Sequence, residues 1–270
     1  MKSLTLFLSC LLMLPFTALS AEQPKSNELI IVTLPPLSGL VAMLMPEKQS
    51  VCLLAAGADP HHFQPSPQQV GQLKKATLVL RAGRDDQGWP IRAKASQVLT
   101  LWKNQAHGWL NFQEVKAALA ELAPVLSQQF PASKNQIEQQ LPLALTEVDA
   151  MEKLWLPVLE TLKTKGVMMQ HPAWQGVMEA YEVPIWAVLE SHQHGHEHGP
   201  RHLEEALATL YAQPQTVLLG SMRHSNRSLE WLSAHQTSPK PLLNLDALGT
   251  CNMPWSVLMT SNLNKLQSQQ

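Results

Sequence analysis

The chain has 270 residues and a formal net charge of −1 at pH 7, with 45% hydrophobic residues. This length and composition are sufficient for a sizeable hydrophobic core in one large domain or two medium ones. The near-zero charge and the lack of a basic stripe exclude the electrostatic footprint of a nucleic-acid-binding protein, so no nucleic-acid partner is expected.

The N-terminus has the pattern of a secretory signal peptide. One early lysine precedes an apolar stretch from Leu4 to Phe16, and small residues follow at Ala18 and Ser20. The apolar stretch is shorter than the roughly 20 residues that a membrane-spanning helix needs. We therefore predict a signal peptide over residues 1–20, cleaved after Ser20 or Ala21, and an exported protein.

Short apolar runs alternate with helical patterns in both halves of the chain. The predicted strands of the first half are LIIVT (29–33), VCLLAA (51–56), TLVLRAG (77–83) and VLTLW (98–102). The predicted strands of the second half are GVMMQ (166–170), VPIWAVL (183–189), TVLLG (216–220) and PLLNL (241–245). Helices are predicted near 37–44, 67–75, 172–181, 201–211, 226–235 and 254–266.

A long helical pattern lies between the two halves. Residues 133–165 contain no glycine, and their apolar residues recur every three or four positions, as on one face of a helix. Pro142 and Pro157 predict a kink or a break within it. Two ordinary helices of a single domain are the alternative interpretation.

Alternating strands and helices indicate parallel sheets covered by helices. We therefore predict an α/β fold with two lobes, each a mostly parallel sheet flanked by helices, joined by a long backbone helix. The predicted boundaries are 21–131 for the N-terminal lobe, 132–165 for the linking helix and 166–270 for the C-terminal lobe.

Four residues that can bind metals follow predicted strands. They are His61 in ADPHHFQPSP, His107 in AHGWLN, His171 in MMQHPAW and Asp246 in LNLDALGT. Ligands of open α/β sheets bind beyond the carboxyl ends of the strands, so all four would face one crevice. Three imidazoles and a carboxylate can form a tetrahedral shell for Zn²⁺.

Two of these residues also have a simpler explanation, and two further histidines are alternative candidates. His107 could be a structural histidine packed on Trp109, and Asp246 could cap the turn that follows it. His62 is an alternative to His61. His224 in GSMRHSNRS also follows a strand end and is a reserve candidate for the fourth ligand.

A separate group of histidines lies in HQHGHEHGPRH, residues 192–202, which we call the His-rich segment. Its histidines are His192, His194, His196, His198 and His202. Their spacing by small and polar residues is typical of a flexible, low-affinity metal-collecting tract, and a solvated loop is the alternative.

Two cysteines, Cys52 and Cys251, remain once the signal peptide is removed. In an oxidising compartment they could form a disulfide, or each could be a small buried side chain. Their predicted positions in different halves of the molecule argue against a disulfide.

The motifs resemble those of the metal-specific solute-binding proteins of ABC transporters, especially the zinc-binding ones. GADPHHFQPSPQQVGQLKKATLVLRAG, AHGWLN and QHPAWQGVMEAY are similar to the segments that carry the family's three histidine ligands, and LNLDALGT to a segment that supplies an aspartate in some members. The resemblance implies two α/β lobes joined by a long helix, with the metal between them.

Together with the candidate ligands, this resemblance implies a monomeric periplasmic protein, not an enzyme, that captures Zn²⁺ and delivers it to an inner-membrane ABC permease. Mn²⁺ is less expected, because manganese sites recruit more carboxylates. One alternative is a periplasmic zinc buffer or chaperone that uses the His-rich segment. A zinc hydrolase is the other, but the sequence has no HExxH motif and no obvious glutamate beside a ligand histidine.

Overall fold

The computed structural model describes residues 28–60, 63–190 and 199–268. The predicted signal peptide and several candidate ligands lie outside these ranges: His61, His62, His192, His194, His196 and His198. Within these ranges, no helix is both long enough and apolar enough to cross a membrane.

The first sheet contains four parallel strands in the order β2-β1-β3-β4. The strands are β1 (Ile30–Val32), β2 (Val51–Cys52), β3 (Leu78–Arg81) and β4 (Val98–Thr100). Helices α1 (Pro35–Leu44) and α2 (Pro67–Leu73) connect them. Ser66 caps α2 in a capping box with Gln69, and Pro67 occupies the first turn.

The second sheet repeats this arrangement, with the order β6-β5-β7-β8. Its strands, all parallel, are β5 (Val167–Met169), β6 (Ile185–Val188), β7 (Val217–Ser221) and β8 (Leu242–Leu245). Helices α5 (Gln175–Ala180), α6 (Pro200–Ala212) and α7 (Arg227–Ala234) connect them. Two parallel sheets with the same strand order confirm the predicted fold class.

A single helix of 32 residues, α4 (Lys134–Lys165), joins the two sheets. It continues through both Pro142 and Pro157, so of the predicted kink or break, the break does not occur. Both prolines lie on the exposed side of α4. The opposite side is buried around Val148 and Trp155, and this packing holds the helix together where two amide hydrogen bonds are missing.

A second long helix, α3 (Phe112–Gln129), packs against α4. No helix is predicted from the sequence over these residues. Asn111 caps its first turn by accepting hydrogen bonds from the amides of Gln113 and Glu114. Pro124 lies within α3 and does not end it.

After β8 the chain returns to the first lobe. Asn252 exchanges hydrogen bonds with the backbone of Ser50, at 2.9 and 3.1 Å. The last helix, α8 (Trp255–Gln267), packs on α4 and α1, and the Trp255 indole donates to the Trp109 carbonyl at 2.7 Å. One continuous core accordingly includes residues of both lobes and of α8.

This return brings the two cysteines together. Cys52 at the end of β2 and Cys251 form a disulfide across a sequence separation of 199 residues. The expectation that they lie in different halves is wrong for Cys251, because residues 246–253 cross from the second lobe to the first.

Candidate metal centre

The centre of the candidate site is His171, which follows β5 after one intervening residue, Gln170. It adopts an extended backbone conformation, and Pro172 then begins a short 3₁₀ turn. The residue is only 7% exposed. Its Nδ1 lies 3.2 Å from Oε2 of Glu190. A proton on Nδ1, donated to this carboxylate, leaves the Nε2 lone pair for a cation.

Glu190 follows β6, the strand next to β5. It is 5% exposed, and its Oε1 accepts a hydrogen bond from the Gln170 amide at 3.2 Å. Burial by itself would raise the pKa of Glu190, but the hydrogen bonds from His171 and Gln170 outweigh it and hold the pKa below its ordinary value. The carboxylate is therefore ionised at neutral pH and provides a buried negative charge.

His224 follows β7, on the other side of β5. Its ring stacks on the His171 ring, with centroids 4.1 Å apart and planes inclined by 8°. Its Nδ1 lies 4.0 Å from Oε2 of Glu190. One potential ligand atom from each of His171, Glu190 and His224 lies within 4.8 Å of the others, and this is the group in the described ranges whose spacing suits a metal ion.

The first lobe contributes His107, whose ring centroid lies 5.4 Å from that of His171. His107 has a left-handed backbone conformation with φ of 53°. Asp85 holds this conformation, because its Oδ2 accepts a hydrogen bond from the His107 amide at 2.9 Å. The Asp85 Oδ1 atom also lies 3.5 Å from Nδ1 of the same ring.

Asp85 lies in a short 3₁₀ turn, Gly83–Asp86, that follows β3. Gly83 has a positive φ of 65°, and a Cβ atom there would overlap the carbonyl oxygens of Leu101 and Trp102. Asp86 is fully buried and pairs with Arg81 at 2.9 Å, which anchors the turn to β3. Burial raises the pKa of Asp85 to about 7, and the hydrogen bond from the His107 amide partly offsets this effect.

Asp246, which follows β8, has a different environment. Its Oδ1 accepts hydrogen bonds from the backbone amides of Leu248 and Gly249, both at 3.0 Å, as in an Asx-type turn. The Arg223 Nε atom lies 3.4 Å from the same oxygen. The carboxylate therefore caps a turn, and it lies outside the group formed by His171, Glu190 and His224.

An enclosed cavity of about 30 Å³ lies between these residues, and we call it the central cavity. It is lined by Leu34, Pro60, Asp85, His107, Trp109, His171, Ser221, Arg223, His224, Ala247 and Leu248. As bounded by the described residues, it has room for an ion or a water, whereas pockets for organic ligands have roughly 300–1,000 Å³. Both lobes contribute to its walls.

The structure brings together three histidines that the sequence selects, namely His107, His171 and the reserve candidate His224. Pro60, in the cavity wall, is the last described residue before His61, which lies outside the described residues. Glu190 is missing from the sequence analysis, although it ends VPIWAVLE and obeys the same strand-end rule. The sequence motifs bring no obvious glutamate beside a candidate histidine, but the pairing of adjacent parallel strands places Glu190 beside His171.

One member of the His-rich segment is described. His202 belongs to the first turn of α6, and one of its ring nitrogens lies 3.0 Å from the Val188 carbonyl oxygen. It is therefore part of a folded helix packed against β6 rather than part of a free loop.

The geometry defines a two-lobed protein with a candidate metal site between the lobes. Comparisons with known proteins show the fold and the family. A family model for ZnuA, the periplasmic component A of the zinc-uptake complex, matches residues 30–269. The chain belongs to this family of periplasmic metal-binding solute-binding proteins.

Known structures and one curated relative show how far the similarity extends. A crystal structure of ZnuA superimposes with a TM-score of 0.76 at 21% identity, covering 90% of this chain and 99% of that one. The manganese-bound periplasmic metal-binding protein of Candidatus Liberibacter asiaticus gives 0.74 at 10% identity, covering 90% and 100%. A Rickettsia prowazekii protein of unassigned function is 27% identical over 160 residues, and the alignment spans about half of each chain, 55% and 52%.

Proposed function

We propose that this protein captures Zn²⁺ in the central cavity and delivers it from the periplasm to an inner-membrane ABC permease. The observation that carries the proposal is the convergence of His171, Glu190 and His224 from three adjacent strands, with His107 facing them from the other lobe. A buried anionic group among several imidazoles attracts a divalent cation strongly, because little water remains to screen the charges.

In the proposed shell, imidazoles of His107, His171 and His224 bind the metal, and His61 is the fourth ligand. Glu190 orients His171 and supplies the compensating charge, as carboxylates commonly do behind zinc-bound histidines. Imidazole ligands suit zinc, whereas manganese sites use more oxygen ligands, so zinc is the proposed cargo. Cu²⁺ would also bind in vitro because of the Irving–Williams order.

The central cavity supports transport over hydrolysis. A zinc hydrolase needs space for a substrate and a carboxylate that can act as a base on a metal-bound water. As bounded by the described residues, the cavity has room for an ion but not for an organic substrate. Neither nearby carboxylate is unengaged, because the Glu190 oxygens contact His171 and Gln170 and the Asp85 oxygens contact the amide and ring of His107.

The test is a chelator-competition zinc titration of the purified, metal-stripped protein and its His171→Ala variant. We expect one tight site, with an affinity at least about 100-fold lower in the variant. His235→Ala is the matched control, because His235 is exposed at the end of α7, and it should bind zinc as the wild type does. Unchanged affinity in His171→Ala would contradict the proposal.

Deleting residues 192–198 separates the proposed role from that of a zinc buffer. A transport component should keep its tight site and lose only additional, weaker zinc. Loss of the tight site on deletion, together with its retention in His171→Ala, would identify the His-rich segment as the principal binding site.

A further inference from the structure

We propose that Arg223 determines metal specificity by holding the Asp246 carboxylate out of the metal shell, which favours Zn²⁺ over Mn²⁺. This inference rests on the proposed function, because it concerns the same site. Its basis is that Asp246 directly precedes two residues of the cavity wall, Ala247 and Leu248, whereas its carboxylate contacts Arg223 and the turn amides.

Asp246 begins a turn whose next residues, Ala247 and Leu248, line the central cavity. Asp246 itself is not among the lining residues, and the inference is that its carboxylate would turn toward the cavity if its present contacts were removed. Its backbone is fixed from behind by Asn262, which accepts from the Asp246 amide and donates to its carbonyl, both at 2.8 Å. The Asn262 contacts therefore fix where the side chain begins, and its remaining contacts decide where the carboxylate points.

Arg223 restrains the turn at both ends. Its Nε atom lies 3.4 Å from Oδ1 of Asp246, and its Nη2 donates to the Gly249 carbonyl at 2.7 Å. Oδ1 thus receives three donors, namely this guanidinium and the amides of Leu248 and Gly249. The guanidinium balances the charge of this carboxylate, and the three donors on Oδ1 fix its orientation, so the carboxylate gains less from a cation than an unpaired one would.

Arg223 also lines the central cavity next to His224. A permanent positive charge at this wall repels a cation, and this effect is tolerable only where the other ligands bind strongly. Imidazoles provide such binding for zinc much more than for manganese, which relies on carboxylates. Removing the guanidinium would relieve the repulsion of the cation and would also release the Asp246 carboxylate as a possible ligand. The released carboxylate would increase the affinity for Mn²⁺ more than that for Zn²⁺.

The experiment measures Zn²⁺ and Mn²⁺ dissociation constants for the wild type and for Arg223→Gln, Asp246→Asn and the double variant. We expect Arg223→Gln to increase affinity for Mn²⁺ relative to Zn²⁺ by at least about tenfold, because a carboxylate is no longer neutralised near the ion. The double variant should lose this gain. Asp246→Asn alone should change zinc affinity by less than about threefold, since its amide oxygen can still cap the turn.

Two further variants guard against an indirect effect. Arg223→Lys retains the positive charge beside Asp246 and should keep nearly the wild-type ratio of affinities. Arg227→Gln removes an exposed arginine of α7 and should change nothing. Thermal melting of the metal-free variants shows whether each is folded, and the Asp246→Asn result remains informative if Arg223→Gln is not.

The possible outcomes distinguish failure of the inference about Arg223 from failure of the proposed zinc-binding function. A large loss of zinc affinity in Asp246→Asn would show that this residue is a ligand in the wild type and would overturn the inference about Arg223. An unchanged ratio of affinities in folded Arg223→Gln would also overturn it. Absence of a tight zinc site in the wild type would instead contradict the proposed function, and the inference with it.

Discussion

Glu190 links the charge of the site to the orientation of its central ligand. Its Oε2 lies 3.2 Å from Nδ1 of His171, and its Oε1 accepts from Gln170. The Gln170 side chain is fixed in turn, because its Oε1 accepts from the Leu229 amide at 3.2 Å. A short network therefore connects α7 to the candidate ligand through two buried side chains.

Replacing Glu190 by glutamine tests this role at the residue scale. The amide keeps the size of the side chain but removes its charge, so zinc affinity should fall about 10- to 100-fold. The measurement is a chelator-competition titration, with Glu179→Gln as the control because Glu179 is exposed on α5. Equal losses in both variants would assign the effect to overall charge rather than to the site.

The candidate ligands show why the sequence predicts only part of the site. His107, His171 and His224 are recognised because histidines at strand ends are uncommon and chemically distinctive. Glu190 obeys the same rule, but glutamates are frequent on surfaces, and only the pairing of β5 with β6 brings this one beside His171. Asp246 also obeys the rule, yet the tertiary contact with Arg223 decides what its carboxylate does.

At the scale of elements, the segment of residues 246–253 is the connection that ties the lobes together beside the cavity. The Trp109 indole donates to the Ala247 carbonyl at 2.6 Å, and the Asn252 amide donates to Oγ of Ser38 at 2.7 Å. The Cys52–Cys251 disulfide secures the same segment to the end of β2. A sequence separation of 199 residues hides this proximity from local pattern analysis.

Removing the disulfide should destabilise the protein without abolishing metal binding. We expect Cys52→Ser/Cys251→Ser to lower the free energy of unfolding by about 2–5 kcal/mol, because the unfolded chain loses a long-range constraint. The measurement is denaturant unfolding of the metal-free protein with and without reductant. Reductant should lower the stability of the wild type only, and an unaffected wild type would contradict a bridged pair.

The long helices illustrate a different limit of sequence prediction. Local propensity makes Pro142 and Pro157 strong breakers, and it therefore predicts a kink or a break within α4. Packing of α4 against α3 and α8 on the side opposite the prolines outweighs this preference. Hydrophobic periodicity predicts α4 correctly because its buried face, around Ile137, Val148 and Trp155, continues past both prolines.

At the scale of the whole molecule, two sheets of identical strand order face a shared cavity and are connected by one long helix. The carboxyl ends of β5, β6 and β7 lead to His171, Glu190 and His224, while the chain beyond β4 leads to His107. The alternation of apolar strands and helices predicts this architecture well, because buried parallel strands have a simple sequence pattern. The separation of the lobes is less complete than the pattern suggests. Of the two hydrophobic core clusters formed by the described residues, the larger includes residues of both lobes, and the smaller lies within the C-terminal lobe.

The most direct test of the central claim is a crystal structure of the zinc-loaded protein with anomalous diffraction recorded on both sides of the zinc edge. We predict one strong anomalous peak in the central cavity, about 2.0–2.1 Å from ring nitrogens of His171 and His224. The peak should also lie within bonding distance of His107 from the other lobe. A peak confined to residues 192–198, with the central cavity empty of metal, would contradict the account.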